Sequence, residues 1–249
     1  MMLDHLVLFQ LPLADFLYSF RESNPSGKVI VILLFIGSIY AWTIMATKYA
    51  ELRRARLASR RFLQIFRKEK DPLAMYARKQ QFFDSPLYRV YEEGCKALGQ
   101  EIEALGHNPD ELFMANLSPD AETLSLHQFE GIKNIADRSV SDHNLFLERR
   151  MTLLATAVTT SPFLGLLGTV WGVMSAFTGM AAVGTSTLSA VAPGIAAALM
   201  TTVMGLLVAL PSTIGYNLLS GTISELQVQT TNFAQEFTDK IKSSYLRNH

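Results

Sequence analysis

Threonine hydroxyls are the main polar side chains in the long apolar part of this sequence. A threonine hydroxyl can donate and accept hydrogen bonds and can order water, but it carries no net charge at neutral pH. On an apolar helix it also bonds to its own backbone, so a purely structural role stays open beside a role in transport. The residues concerned are Thr152, Thr156, Thr159, Thr160, Thr169, Thr201 and Thr202.

Other kinds of chemistry find little support in the sequence. It contains no nucleophile motif, no glycine-rich phosphate loop and no paired carboxylates within its apolar segments. His107, His127 and His143 lack the spacing of metal ligands, and the single cysteine, Cys95, cannot build a cysteine-rich metal site. We therefore predict no enzymatic activity, no metal and no cofactor. The balance of 22 basic and 22 acidic side chains also argues against a nucleic-acid partner.

The hydroxyls lie in a stretch without charge. Residues 151–224 contain no Asp, Glu, Lys, Arg or His. As one helix this stretch would extend ~110 Å, several times the ~30 Å hydrocarbon core of a bilayer, so it must hold two spans. A further apolar run, residues 29–47, is long enough to cross the bilayer by itself. The pattern predicts an all-α integral membrane protein with three transmembrane helices. Long helices are predicted to extend into the cytoplasm.

The distribution of basic residues predicts the orientation. Many Lys and Arg residues lie between positions 48 and 70, directly after the first span, whereas only Arg21 clearly precedes it. Because such residues favour the cytoplasmic side, we predict a periplasmic N-terminus and a cytoplasmic C-terminus. The predicted segments are a periplasmic or interfacial N-terminal segment (1–27), transmembrane helix 1 (28–48), a cytoplasmic helical region (49–150), transmembrane helix 2 (151–181), a periplasmic hairpin (182–189), transmembrane helix 3 (190–221) and a cytoplasmic C-terminal helix (222–249).

Three helices beyond the spans are predicted from apolar periodicity and capping residues. Residues 1–22 favour an amphipathic helix at the membrane interface, with a core-packing helix as the alternative. Ser118 and Pro119 are typical of a helix start, and from there the pattern predicts one helix that continues without a break into the second span. In the C-terminal tail, an apolar stripe is expected to face a neighbouring helix or subunit; it consists of Phe233, Phe237 and Ile241.

Small residues recur at intervals of three or four in both charge-free spans. Lipid gives little hydrophobic drive for helices to associate, so such helices pack by close backbone approach through small side chains. The stripes predict tight packing within one chain or between copies, and packing alone explains them without transport. They comprise Ser161, Gly165, Gly168, Gly172, Ser175 and Gly179 in the second span, and Gly194, Ala198, Thr202, Gly205, Ala209 and Ser212 in the third.

Three motifs in these spans carry a resemblance to a known family. Residues 161–174 read SPFLGLLGTVWGVM, residues 191–195 read VAPGI, and residues 211–217 read PSTIGYN. They resemble the TolQ/ExbB branch of the MotA/TolQ/ExbB proton-channel family, and the three-span topology with a large loop after the first span agrees. The structural motif residues are Pro162, Trp171, Pro193 and Pro211.

The resemblance implies a homo-oligomer, a pentamer, in the bacterial inner membrane. It would surround two transmembrane helices of a TolR/ExbD-like single-span partner that carries a membrane aspartate. Proton flow between them would drive work that is passed to the periplasm or outer membrane, with a TolA/TonB-like protein as a further partner and membrane lipid around the complex. Thr169 and Thr202 match the pore threonines of the family, and Thr201 lies beside Thr202 in the sequence.

One position departs from the family pattern. Where the family motif reads Pro-Gly-Ile-Ala-Glu-Ala-Leu, this chain has Ala197 in place of the glutamate. A carboxylate within the membrane costs about 2.5 to 3.5 kcal/mol and usually persists only for function, so the alanine removes both that cost and a proton site. Three interpretations follow: a natural branch that leaves protonation to the partner's aspartate, as the MotA branch does; an engineered variant; or a subunit without ion conduction.

Two hypotheses for the function follow from these residues. The first is a channel-scaffold subunit of a motor driven by the proton-motive force, in which Thr169, Thr202, Thr201 and Ala197 line the proton pathway. The alternative is a non-conducting membrane scaffold that anchors partner proteins, which Ala197 favours. A membrane-bound enzyme ranks below both, because no catalytic motif is present.

Overall fold

The computed structural model describes residues 20–21, 23–104, 124–184 and 187–245, and this part of the chain is built from helices without a β-strand. Its helices are α1 (Pro25–Phe66), α2 (Ala74–Ala77), α3 (Pro86–Ala104), α4 (Leu126–Glu148), α5 (Met151–Val183) and α6 (Leu188–Tyr245). The predicted all-α fold class is confirmed.

Three helical stretches are long and apolar enough to cross a membrane. They are Pro25–Phe66, Leu126–Val183 and Leu188–Tyr245, which confirms the prediction of three membrane-crossing helices. The predicted spans 28–48, 151–181 and 190–221 fall within α1, α5 and α6. The side of the membrane on which each end lies stays a prediction.

The connection between α5 and α6 falls where the hairpin at 182–189 is predicted. Helix α5 ends at Val183, and Gly184 follows it with a φ of 70°. This left-handed conformation is typical of the residue that closes a helix C-terminus, and glycine adopts it without the steric penalty that a Cβ atom imposes. Helix α6 then begins at Leu188.

The predicted uninterrupted helix into the second span is wrong at residues 149–150. Helix α4 ends at Glu148 and α5 begins at Met151, and between them Arg150 has a φ of 72°. A non-glycine residue in this region costs roughly 1–2 kcal/mol. The break persists because the carbonyl oxygen of Leu147 accepts a hydrogen bond from the Lys48 side chain, a partner that the local pattern does not reveal.

The start of α4 also differs from the expected position. Ser118, which the sequence suggests as a cap, lies outside the described residues. The cap that is described is Ser125, whose hydroxyl accepts a hydrogen bond from the Gln128 backbone N–H, while the Gln128 side chain accepts one from the Ser125 backbone N–H. Of the predicted amphipathic helix at residues 1–22, only residues 20 and 21 are described.

The chain divides into two compact units. The apolar unit comprises Met1–Thr47 and Arg150–Leu218, and it contains the membrane-crossing parts of α1, α5 and α6. The aromatic unit comprises Lys48–Arg149 and Leu219–His249.

Stacked and edge-to-face rings fill the core of the aromatic unit. The ring centroids of Phe66 and Phe233 lie 5.1 Å apart, and those of Tyr91 and Phe237 lie 5.3 Å apart. Such ring pairs add about 0.5–1.5 kcal/mol each beyond the burial of their area. Ile241 belongs to the same buried cluster. The apolar stripe predicted in the C-terminal tail therefore packs against neighbouring helices of the same chain.

Candidate functional site

Glycines bring the backbones of α5 and α6 into direct contact in the apolar unit. A Cβ atom on Gly165 would lie 2.8 Å from the carbonyl oxygen of Thr201, and one on Gly205 would lie 2.6 Å from that of Ser161. Backbone atoms cannot move aside as a side chain can, so both positions require glycine at this helix separation.

The other predicted packing glycines meet side chains of the opposite helix. A Cβ atom on Gly168 would overlap the Thr201 side chain, and one on Gly172 would lie 2.5 Å from the Cβ atom of Ala198. Gly194 is less tight, since its Cβ atom would lie 3.0 Å from that of Ala176. These contacts place Gly165, Gly168 and Gly172 of the second-span stripe and Gly194 and Gly205 of the third-span stripe in one interface within the chain, whereas Gly179 has nothing within 4 Å of its Cβ position.

The hydroxyls of Thr169 and Thr202 bond to each other across this interface. The Thr169 hydroxyl also lies 3.2 Å from the carbonyl oxygens of Gly165 and Ala198, and the Thr202 hydroxyl lies 3.1 Å from that of Gly165. Each hydroxyl has one proton, so these contacts are alternative donations rather than simultaneous ones. The pair can therefore exchange hydrogen-bond partners without a change of helix position.

Thr201 takes a different place from its neighbour Thr202. It is 1% exposed, and its hydroxyl lies 2.7 Å from the Ala198 carbonyl oxygen and 3.0 Å from the Gly165 carbonyl oxygen. Thr169 and Thr202 are only partly buried. Of the three threonines, Thr201 is thus the one enclosed in the helix contact, and the other two retain access to the surface of the single chain.

Most of the remaining threonines of α5 bond only within their own helix. The hydroxyl of Thr156 donates to the Thr152 carbonyl oxygen at 2.9 Å, and that of Thr160 donates to the Thr156 carbonyl oxygen at 2.7 Å. This is the structural role that threonines in apolar helices commonly have. The cross-helix pair of Thr169 and Thr202 is the arrangement that differs from it.

Ala197 is buried within the single chain, where 3% of its surface is exposed. A glutamate at this position would bring a carboxylate into an enclosed apolar environment, at a cost that usually requires a partner. That Ala197 lines a proton pathway stays a prediction.

The motif prolines lie inside the long helices. Pro162 is within α5, and Pro193 and Pro211 are within α6. Since proline has no N–H, each of them leaves the carbonyl group four residues earlier without its helical donor. Trp171, by contrast, is 48% exposed on the outer side of α5.

A cleft in the aromatic unit is a feature that the sequence did not reveal. It encloses about 950 Å³ and is lined by basic and acidic side chains from α1, α3 and α4 together with the loop before α3. Burial in this cleft lowers the pKa of His143, Arg89 lowers it further, and Asp142 and Glu93 oppose the shift. The charged groups of the lining are Glu51, Arg54, Asp84, Arg89, Glu93, Arg138, Asp142 and His143.

The described part of the chain has no group of three or more His, Cys, Asp or Glu side chains placed to hold a metal ion. The chemistry available in the charge-free helix pair is therefore that of hydroxyl and carbonyl groups, which exchange hydrogen bonds but carry no charge.

Comparison with known proteins identifies relatives over most of the chain. Residues 107–232 match the family model of the MotA/TolQ/ExbB proton channel family. The chain is 31% identical over 212 residues to the Tol-Pal system protein TolQ of Pseudomonas aeruginosa, with 84% of this chain and 85% of the relative covered. It is 29% identical over 227 residues to the TolQ protein of Haemophilus influenzae, covering 90% and 92%. With the biopolymer transport protein ExbB of Salmonella typhimurium it shares 29% identity over 217 residues, covering 87% and 82%.

Proposed function

Because the chain belongs to the MotA/TolQ/ExbB proton channel family, we propose that it is the channel-scaffold subunit of an inner-membrane motor driven by the proton-motive force. In this proposal it acts with a TolR/ExbD-like single-span partner and couples proton flow to work at the periplasm or outer membrane. Relatives named for the Tol-Pal system and for biopolymer transport support this assignment.

The observation that carries the proposal is the hydroxyl pair of Thr169 and Thr202 in a helix pair without charge. Residues 151–224 contain no Asp, Glu, Lys, Arg or His, so in this proposal the group that binds and releases the proton comes from the partner. An aspartate on the partner's span would cost about 2.5 to 3.5 kcal/mol to bury alone. The two partly buried hydroxyls, with the Gly165 and Ala198 carbonyl oxygens beside them, can hydrogen-bond to either protonation state of that aspartate.

Exposed apolar side chains support a homo-oligomer in which several copies surround the partner. On a single chain in water, an exposed apolar surface of this extent would be unfavourable, so lipid or further copies must cover it. We expect a pentamer, with lipid on its outside and the partner's helices in its centre. The side chains concerned include Phe163, Leu166, Val170 and Met174 of α5, and Leu199, Val203, Leu206 and Leu210 of α6.

Proton flux through the reconstituted complex tests the proposal. The chain and its single-span partner are placed in liposomes, and the decay of an imposed pH gradient is followed with an internal dye. We expect flux from the complex, and loss of flux when the partner's membrane aspartate is replaced by asparagine. An absence of flux from both the wild-type chain and an Ala197→Glu variant, in complexes that assemble normally, would remove the channel function.

A second candidate function rests on Ala197. Since this residue stands where the resemblance implies a glutamate, the predicted span 190–221 of α6 has no acidic side chain of its own for proton binding. A non-conducting scaffold would anchor a partner helix, or it would recruit cytoplasmic proteins through the basic segment between positions 48 and 70 and through residues 71–150. Stable co-purification with a single-span partner that has no membrane aspartate, together with no proton flux, would favour this function over the first.

A further inference from the structure

A small cavity lies in the apolar unit, between the residues that precede α1 and the pair of helices α5 and α6. Its volume is about 190 Å³, which corresponds to roughly six water molecules at ~30 Å³ each. Gly168, Gly172 and Ala198 are among the residues that line it.

Polar groups without a protein partner line the same cavity. Ser23 is 8% exposed, and neither its hydroxyl nor that of Ser175 makes a hydrogen bond with the described residues. The Asn24 side chain also lines the cavity, although its Oδ1 atom accepts a hydrogen bond from the Gly27 N–H at 3.0 Å. Water in the cavity would form hydrogen bonds with both serine hydroxyls, since the cavity is polar enough and large enough to hold water.

The inner end of the cavity borders the threonine cluster. Gly168, which lines the cavity, lies against the hydroxyl and Cβ atom of Thr201. The carbonyl oxygen of Ala198, another lining residue, lies 2.7 Å from the Thr201 hydroxyl and 3.2 Å from the Thr169 hydroxyl. The Ala198 carbonyl oxygen thus links a residue of the cavity lining to the hydroxyls of Thr201 and Thr169.

We propose that this cavity holds a short chain of ordered water that leads from Ser23 and Asn24 towards the threonine pair and delivers protons through the protomer itself to the partner's carboxylate beside that pair. In each transfer an O–H bond of one water breaks as another forms on the next, so one proton moves and the waters are unchanged. The last water passes its proton to the partner's carboxylate beside Thr169 and Thr202. This role in proton transfer rests on the proposed function, whereas the presence of water does not.

Cysteine accessibility tests whether the cavity holds water. The native Cys95 is fully buried, and burial raises the pKa of its thiol, so the wild-type chain provides an unreactive background. In membranes that contain the chain and its partner, a Ser175→Cys variant should react with aminoethyl methanethiosulfonate, because a thiol ionises only where water reaches it. The matched control is Val29→Cys, on the exposed apolar side of α1, which should react at least about tenfold more slowly. Equal rates for the two variants, whether both fast or both slow, would overturn the water site.

Proton flux tests whether the water delivers protons. A Ser175→Leu variant places an apolar side chain in the cavity and should lower the flux of the assembled complex at least about tenfold. The control is Thr178→Leu on the same helix, since Thr178 is exposed and bonds only to its own helix, at the Met174 carbonyl oxygen. Full flux from a correctly assembled Ser175→Leu complex would overturn the proton route. If the wild-type complex itself conducts nothing, the proposed function fails, while the cysteine measurement still decides whether water occupies the cavity.

Discussion

The ammonium group of Lys48 donates a hydrogen bond to the backbone carbonyl oxygen of Leu147, 3.1 Å away, although 99 positions separate the two residues in the chain. Lys48 is 3% exposed, pairs with Glu51 at 3.0 Å and lies 5.8 Å from the centre of the Phe146 ring. The last carbonyl groups of a helix lack donors within that helix. Lys48 therefore caps the end of α4 at the break before α5, and its charge complements the negative end of the helix dipole.

Replacement of Lys48 should destabilise the aromatic unit. A Lys48→Met variant keeps the apolar stem but leaves the Leu147 carbonyl group and the Glu51 carboxylate without their donor. Each lost hydrogen bond from a charged group is worth roughly 1.5–3 kcal/mol, so the apparent unfolding temperature in detergent, followed by circular dichroism, should fall. The control is Lys68→Met, at an exposed position. An equal decrease in both variants would contradict the capping role.

Gly165 and Gly179 lie on the same helix but differ in what an added methyl group would meet. At Gly165 it would meet the backbone of α6, whereas at Gly179 nothing lies within 4 Å. We expect Gly165→Ala to destabilise the helix pair by about 1–3 kcal/mol or more, since overpacking against backbone cannot relax. Gly179→Ala should be neutral or slightly stabilising, because alanine favours helix. The yield of folded, monodisperse protein on size-exclusion chromatography and its thermal stability in detergent measure the difference, and equal behaviour would speak against the close contact.

The spacing of small residues was enough to predict the stripes that the structure places in contact. Gly165, Gly168 and Gly205 recur with the period of a helix, and that period is a local property of the sequence. The pairing of Thr169 with Thr202 depends in addition on the register between α5 and α6, which spacing within one helix cannot give. The resemblance to a known family supplied that pair instead.

Long-range contacts account for what the sequence did not predict. The end of α4 depends on Lys48, which lies on another helix, so the local pattern suggested a helix that continues. The cleft beside His143 draws its charges from several elements, and no short motif contains them. The periodicity of Phe233 and Phe237 predicted an apolar stripe, but not that Phe62, Phe66 and Tyr91 complete its core.

The stability of the aromatic unit should decrease as the pH falls below about 6.5, the ordinary pKa of histidine. Burial lowers the pKa of His143, so the unfolded chain binds a proton there more readily than the folded one does, and acid favours unfolding. Thermal unfolding between about pH 5 and about pH 8 measures this dependence. A His143→Asn variant should show a shallower decline than the wild type, and His127→Asn, at an exposed position, is the matched control. The same slope in all three proteins would exclude His143 as the cause.

The hydroxyl of Thr169 meets Thr202 and the Ala198 carbonyl oxygen across the helix pair. A Thr169→Val variant keeps the shape of the side chain and removes only the hydroxyl, so the packing of α5 against α6 should survive. Loss of one hydrogen bond costs about 1 kcal/mol of stability. Under the proposed function, however, proton flux should fall at least about tenfold, because the partner's carboxylate would lose a polar neighbour in a region without charge. Thr178→Val is the matched control, since its hydroxyl bonds only to the Met174 carbonyl oxygen of its own helix. Unchanged flux in a Thr169→Val complex that assembles normally would mean that this hydroxyl serves packing alone.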